Sequence, residues 1–92
     1  MARETYVIAY DISDDRERAR LDRLLAGYGF RAQYSVYECE LTRGEKLRLY
    51  GQIEALGLQT GHVRIYRIHP DRTKTLGAAP PERLADAVAF IV

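Results

Sequence analysis

The order of hydrophobic patterns along the chain predicts an α+β domain of the ferredoxin-like β-α-β-β-α-β plan, with an additional strand at the C-terminus. Extended stretches rich in Tyr, Val and Ile occupy residues 5–12, 31–41 and 62–69. Between them lie two stretches with apolar residues at helical spacing, each opened by a capping signature and closed near a glycine. The middle extended stretch is about twice the length of an ordinary strand and so accommodates two. A chain of 92 residues has room for one core. The expected division of this single domain is a core over about 1–70, a loop over 70–81 and a terminal strand over about 85–92.

Residues 5–12 place Tyr6, Ile8, Tyr10 and Ile12 on one side and Val7, Ala9 and Asp11 on the other. Both sides are mostly apolar, which predicts a central strand covered on both faces. Ser13-Asp14-Asp15 opens the first helix, with Asp14 and Glu17 forming an Asp variant of the capping box. Leu21, Leu24, Leu25 and Tyr28 form its apolar stripe, Arg18 and Asp22 an i,i+4 pair, and Gly27 and Gly29 its end. Residues 31–41 should bend near Ser35 into two strands. Thr42 and Glu45 form a second capping box, followed by the stripe Leu49, Ile53 and Leu56 and the terminator Gly57. Gly51 inside that helix costs about 1 kcal/mol against Ala, which close packing would explain. Residues 62–69 form a further strand, and the apolar tail ending Phe90-Ile91-Val92 reads as a strand added to a partner's sheet edge.

Composition narrows the functional classes. No apolar run approaches the roughly 20 residues of a membrane helix, and the first five residues lack the apolar core of a secretion signal. The expectation is therefore a cytoplasmic protein without a membrane partner. The single cysteine, Cys39, excludes an intramolecular disulfide and a Cys-based zinc site. Net charge is only +1, but it is unevenly spread: residues 16–31 hold five Arg against Glu17 and Asp22, and twelve of the fourteen cations are Arg. Arginine suits bidentate phosphate contacts; it is also what an Arg-rich proteome would supply anywhere.

Asp11 is the foremost candidate for chemistry. A carboxylate on the strand face away from the helices suits an Mg²⁺ or Mn²⁺ ligand, and equally a cap for the turn into the first helix. Two copies meeting by their open sheet faces about a two-fold axis would bring two Asp11 side chains together, and a divalent cation would relieve their repulsion. Arg16, Arg18, Arg20, Arg23 and Arg31 form a second constellation, read either as contacts along a nucleic-acid backbone or as a solvated charged face. Tyr34 and Tyr37 fall on opposite faces of the extended stretch, where either could stack on a base or pack in a core. His62 and His69 bracket a strand without ligand spacing and read as surface residues. Cys39 has no paired His, which argues against a thiol nucleophile.

Taken together, Tyr10-Asp11-Ile12-Ser13-Asp14-Asp15, Gly29-Phe30-Arg31-Ala32-Gln33-Tyr34-Ser35-Val36-Tyr37-Glu38-Cys39 and Val63-Arg64-Ile65-Tyr66 resemble the small CRISPR-associated endonuclease of the spacer-acquisition machinery. The resemblance spans the chain in order. It implies a ferredoxin-like homodimer whose C-terminal strand packs on the other protomer. It further implies a partner in the larger CRISPR integrase subunit and a bound duplex prespacer DNA, with metal-dependent cleavage of single-stranded RNA or double-stranded DNA. The family's metal-binding aspartate falls on Asp11, preceded by Tyr10, and its arginines fall on Arg18, Arg20 and Arg31. Tyr37 stands where the family commonly has Phe. Two alternatives share the fold: a DNA-binding scaffold without catalysis, and a toxin-type endoribonuclease of the virulence-associated protein D kind.

Overall fold

A computed structural model describes residues 2–78. Its elements are β1 (Glu4–Ile12), α1 (Asp15–Ala26), β2 (Gly29–Gln33), β3 (Val36–Leu41), α2 (Arg43–Ala55) and β4 (Gly61–Ile68), followed by a short 3₁₀ turn at Pro70–Arg72. The sheet runs β2-β3-β1-β4 and every neighbouring pair is antiparallel. This is the ferredoxin-like arrangement that the element order predicts. The expected terminal strand lies outside the described residues.

Strand β1 is central, as its two apolar faces predict. Tyr6, Ile8, Tyr10 and Ile12 are buried beneath the helices, where they meet Tyr37, Cys39 and Leu41 of β3, Leu21 and Leu25 of α1, and Leu49 of α2. Leu24, Tyr28, Ile53 and Leu56 complete the helical stripes as half-buried flanks. The other face of β1 is not covered by any described residue of the chain: Val7 and Ala9 are half-buried and Asp11 is exposed. Among the described residues, β1 is therefore covered on the helix side alone, and the expected coverage of its second face is not seen.

The long extended stretch divides as expected, with Ser35 taking a left-handed φ of 66° in the turn between β2 and β3. Gly29 belongs to β2 and does not end the helix. A Cβ there would lie 2.1 Å from the Glu38 carbonyl and 2.6 Å from Cys39 Sγ, so the close crossing of β2 over β3 requires glycine. Gly51 is a different case. A Cβ at that position meets nothing within 4 Å, so no packing constraint accounts for it. Gly51→Ala should stabilise the protein by about 0.5–1 kcal/mol through helix propensity and a less flexible unfolded chain, read as a raised midpoint in chemical denaturation.

The start of α1 departs from the expected box. Asp14 caps it by accepting from the Glu17 amide at 2.9 Å, but the Glu17 carboxylate does not return to Asp14. It turns to the α2–β4 loop and accepts from the backbone amides of Gln59 (3.1 Å) and Thr60 (3.0 Å) and from the Thr60 hydroxyl (2.8 Å). The Asp14 amide donates instead to that same hydroxyl at 3.0 Å. Glu17 is thus a buried carboxylate with every partner supplied. The Thr60 hydroxyl, helped by the two amides, holds its pKa below the ordinary value despite burial. The contact ties the first turn of α1 to the α2–β4 loop immediately before β4.

Candidate functional site

The open sheet face is built by register. In an antiparallel ladder, paired residues point to the same side. Val7 faces Glu38 on one side and Tyr66 on the other, Ala9 faces Val36 and Arg64, and Asp11 faces His62. Asp11 stands at the end of this face, exposed, beside an exposed His62. The helix cap is Asp14, so the alternative role of Asp11 as that cap does not hold. Among the described residues, no group of three or more His, Cys, Asp or Glu side chains is arranged to hold a metal ion. One copy of the chain therefore presents Asp11 as an isolated acid with one imidazole neighbour.

Tyr10 and Tyr37 lie on the opposite side of the sheet, buried under α1. The Tyr10 hydroxyl donates to the Asp22 carboxylate, and the Tyr37 hydroxyl reaches the Asp22 carbonyl at 3.4 Å. Burial, then the Asp22 hydrogen bond and charge, raise the Tyr10 pKa well above its usual range. Tyr10 therefore stays protonated and acts as a donor within the fold. Tyr37 is 4% exposed and offers no face for a base to stack on. Tyr34 does not oppose it across a strand; it sits in the β2–β3 turn at 74% exposure.

The arginines separate into two groups. Arg31 is turned inward: its guanidinium pairs with Asp22 at 3.0 Å and lies 5.6 Å from the Tyr37 ring and 6.0 Å from the Tyr34 ring. Asp22 is consequently not the partner of Arg18. Arg18 instead pairs with Asp15 and donates to the Ile12 carbonyl at 2.8 Å, tying the first turn of α1 to the end of β1. Arg16, Arg20 and Arg23 are exposed on α1, and none enters an ion pair among the described residues. Cys39 is fully enclosed; burial, with the Glu38 charge, pushes its thiol up to about 11, so it is inert at neutral pH.

Sequence reasoning did not find the Glu17–Thr60 tie or the Asp11–His62 pairing. Each joins residues more than 40 positions apart, and no local pattern announces such a contact.

Residues 4–75 match the family model described as CRISPR associated protein Cas2. The chain belongs to the CRISPR-associated Cas2 family. A CRISPR-associated endoribonuclease Cas2 of Thermus thermophilus is 46% identical over 89 residues, spanning 91% of this chain and 95% of the relative. The structure of a hypothetical protein from Thermus thermophilus superposes with a TM-score of 0.77 at 35% identity, covering 86% of this chain and 99% of that one. A chain from a partial Cas6-RT-Cas1–Cas2 complex superposes with a TM-score of 0.72 at 29% identity, covering 88% of this chain and 93% of that chain. No helix among the described residues is long and apolar enough to cross a membrane.

Proposed function

We propose that this Cas2-family chain works in the cytoplasm in spacer acquisition, as a homodimer that bridges dimers of the CRISPR integrase and grips a duplex prespacer DNA. We further propose that it carries a divalent-cation-dependent phosphodiesterase activity centred on Asp11. The single observation that carries this reading is the placement of Asp11: an exposed carboxylate on the sheet face that the helices leave open, a face that a second copy would cover. Two protomers meeting there would converge two carboxylates. Membership of the family, the endoribonuclease name of the Thermus relative and the Cas1-containing assembly of the structural neighbour support it. They also favour spacer acquisition over a toxin-type ribonuclease.

Asp11 supplies an oxygen donor of the kind Mg²⁺ and Mn²⁺ take, and one donor per protomer leaves most positions for water and substrate phosphate. The residues present therefore fit such an ion, which when bound would supply charge neutralisation at the phosphate and a more acidic water. The chain's own contribution is to hold the carboxylates rigidly at the ends of two β1 strands. Exposed Arg16 and Arg20 on α1 offer the cations for the phosphate backbone. Arg31 and Tyr37, committed to Asp22, maintain the β2–α1 junction that supports this arrangement.

The nucleic-acid half is tested by the salt dependence of duplex binding. Substituting Arg16 and Arg20 with Ala should weaken binding and flatten the slope of log K against log salt by about 0.9 for each phosphate that is no longer neutralised. Integration of a prespacer by the integrase partner should fall in parallel. A slope equal to that of the wild type would remove α1 from the footprint. Arg18 is a poorer probe, because its removal also frees the Ile12 carbonyl.

A further inference from the structure

We propose that His62 is a second ligand of the cation held at Asp11 and biases that site toward Mn²⁺ over Mg²⁺. This rests on the reading of Asp11 as a cation ligand. The two residues are direct register partners across β1 and β4, and both are exposed on the same side of the sheet. Directly opposed side chains in an antiparallel pair start about 4.5–5.5 Å apart at Cβ, a span one cation bridges.

The pairing is also held in place. Gly61, immediately before His62, lies so close to β1 that a Cβ there would be 1.8 Å from the Asp11 carbonyl oxygen. One residue earlier, the Thr60 carbonyl accepts from the Ser13 amide and hydroxyl, both at 3.2 Å, and the Thr60 hydroxyl is seated on Glu17. A register slip of β4 would break all of these contacts at once, so the backbone keeps His62 opposite Asp11.

An imidazole nitrogen is a poor ligand for Mg²⁺, which prefers an all-oxygen shell, and a good one for first-row transition ions. In a back-to-back dimer the site would offer two carboxylates and two imidazoles. That donor set separates the two ions more sharply than paired carboxylates alone.

The test is metal binding by the full chain without substrate. Mn²⁺ affinity is measured by electron paramagnetic resonance titration, Mg²⁺ affinity by competition, and the dimer mass of each variant by sedimentation. His62→Gln is expected to weaken Mn²⁺ binding about tenfold or more, to leave Mg²⁺ binding within about twofold, and to remove the nitrogen hyperfine coupling from the Mn²⁺ spectrum. Unchanged Mn²⁺ affinity in His62→Gln, with binding abolished in Asp11→Asn, would overturn the role of His62 and leave Asp11 standing. Mn²⁺ binding unchanged in both variants would overturn the two together.

Discussion

Asp11→Asn is expected to lower cation-dependent cleavage of single-stranded RNA by about 10²–10³-fold, the scale on which an active site loses rate when one preorganised electrostatic group is removed. The substitution keeps the shape of the side chain and removes the charge. Because Asp11 is exposed and is not the α1 cap, its replacement should leave stability within about 0.5 kcal/mol of wild type. A fall in rate would then report chemistry and not unfolding. The proposed two-fold site doubles the consequence, since one substitution removes both carboxylates. Prespacer integration by the integrase partner separates catalysis from scaffolding. It should persist in Asp11→Asn, because the proposed bridging and duplex binding would draw on the fold and the α1 arginines and not on Asp11. Cleavage by the variant at the wild-type rate would place the chemistry elsewhere. Integration abolished along with cleavage would tie Asp11 to assembly.

The parts of this molecule legible in its sequence are those governed by local rules. The alternation of Tyr6, Ile8, Tyr10 and Ile12 with Val7, Ala9 and Asp11 specified which side of β1 would face the helices, and the structure buries that side residue by residue, whereas the expected cover on the second side is not found among the described residues. The Thr42–Glu45 capping box is fully formed, with both reciprocal hydrogen bonds present. What the pattern could not reveal is where a charged side chain goes once several partners compete for it. Asp22 stands four residues after Arg18 and is claimed by Arg31 and Tyr10 from neighbouring strands. Glu17 stands three after Asp14 and is claimed by Thr60. In both cases partners supplied by the tertiary structure take the side chain, and the local pairing loses. The same competition separates the arginines: spacing puts Arg18 and Arg31 in one series with Arg16 and Arg20, while the fold commits the first two to internal contacts. Glycine shows the limit from the other direction. Gly29, Gly51 and Gly61 are indistinguishable as letters, yet only Gly29 and Gly61 stand where a Cβ has no room.

Gly61→Ala is accordingly expected to be the most damaging of the single substitutions considered, costing about 3 kcal/mol and lowering Tm by about 15 °C. The added Cβ would fall 1.8 Å from the Asp11 carbonyl oxygen, 2.7 Å from its carbonyl carbon and 2.8 Å from Ile12 Cα. All three are backbone atoms of the central strand, so no side-chain rotation relieves the overlap and the start of β4 must move away from β1. That movement breaks the Ile12–Gly61 and Asp11–His62 pairings first, then strains the Thr60 contacts to Ser13 and Glu17 that sit one residue upstream. The damage would therefore begin at the candidate site. Even under conditions where Gly61→Ala stays folded, its RNA cleavage and Mn²⁺ binding should fall. Gly44→Ala is the matched control, since a Cβ there meets nothing within 4 Å. A Gly61→Ala protein as stable as Gly44→Ala would show that β4 can leave β1 without cost, and with it that the Asp11–His62 register is not held as described.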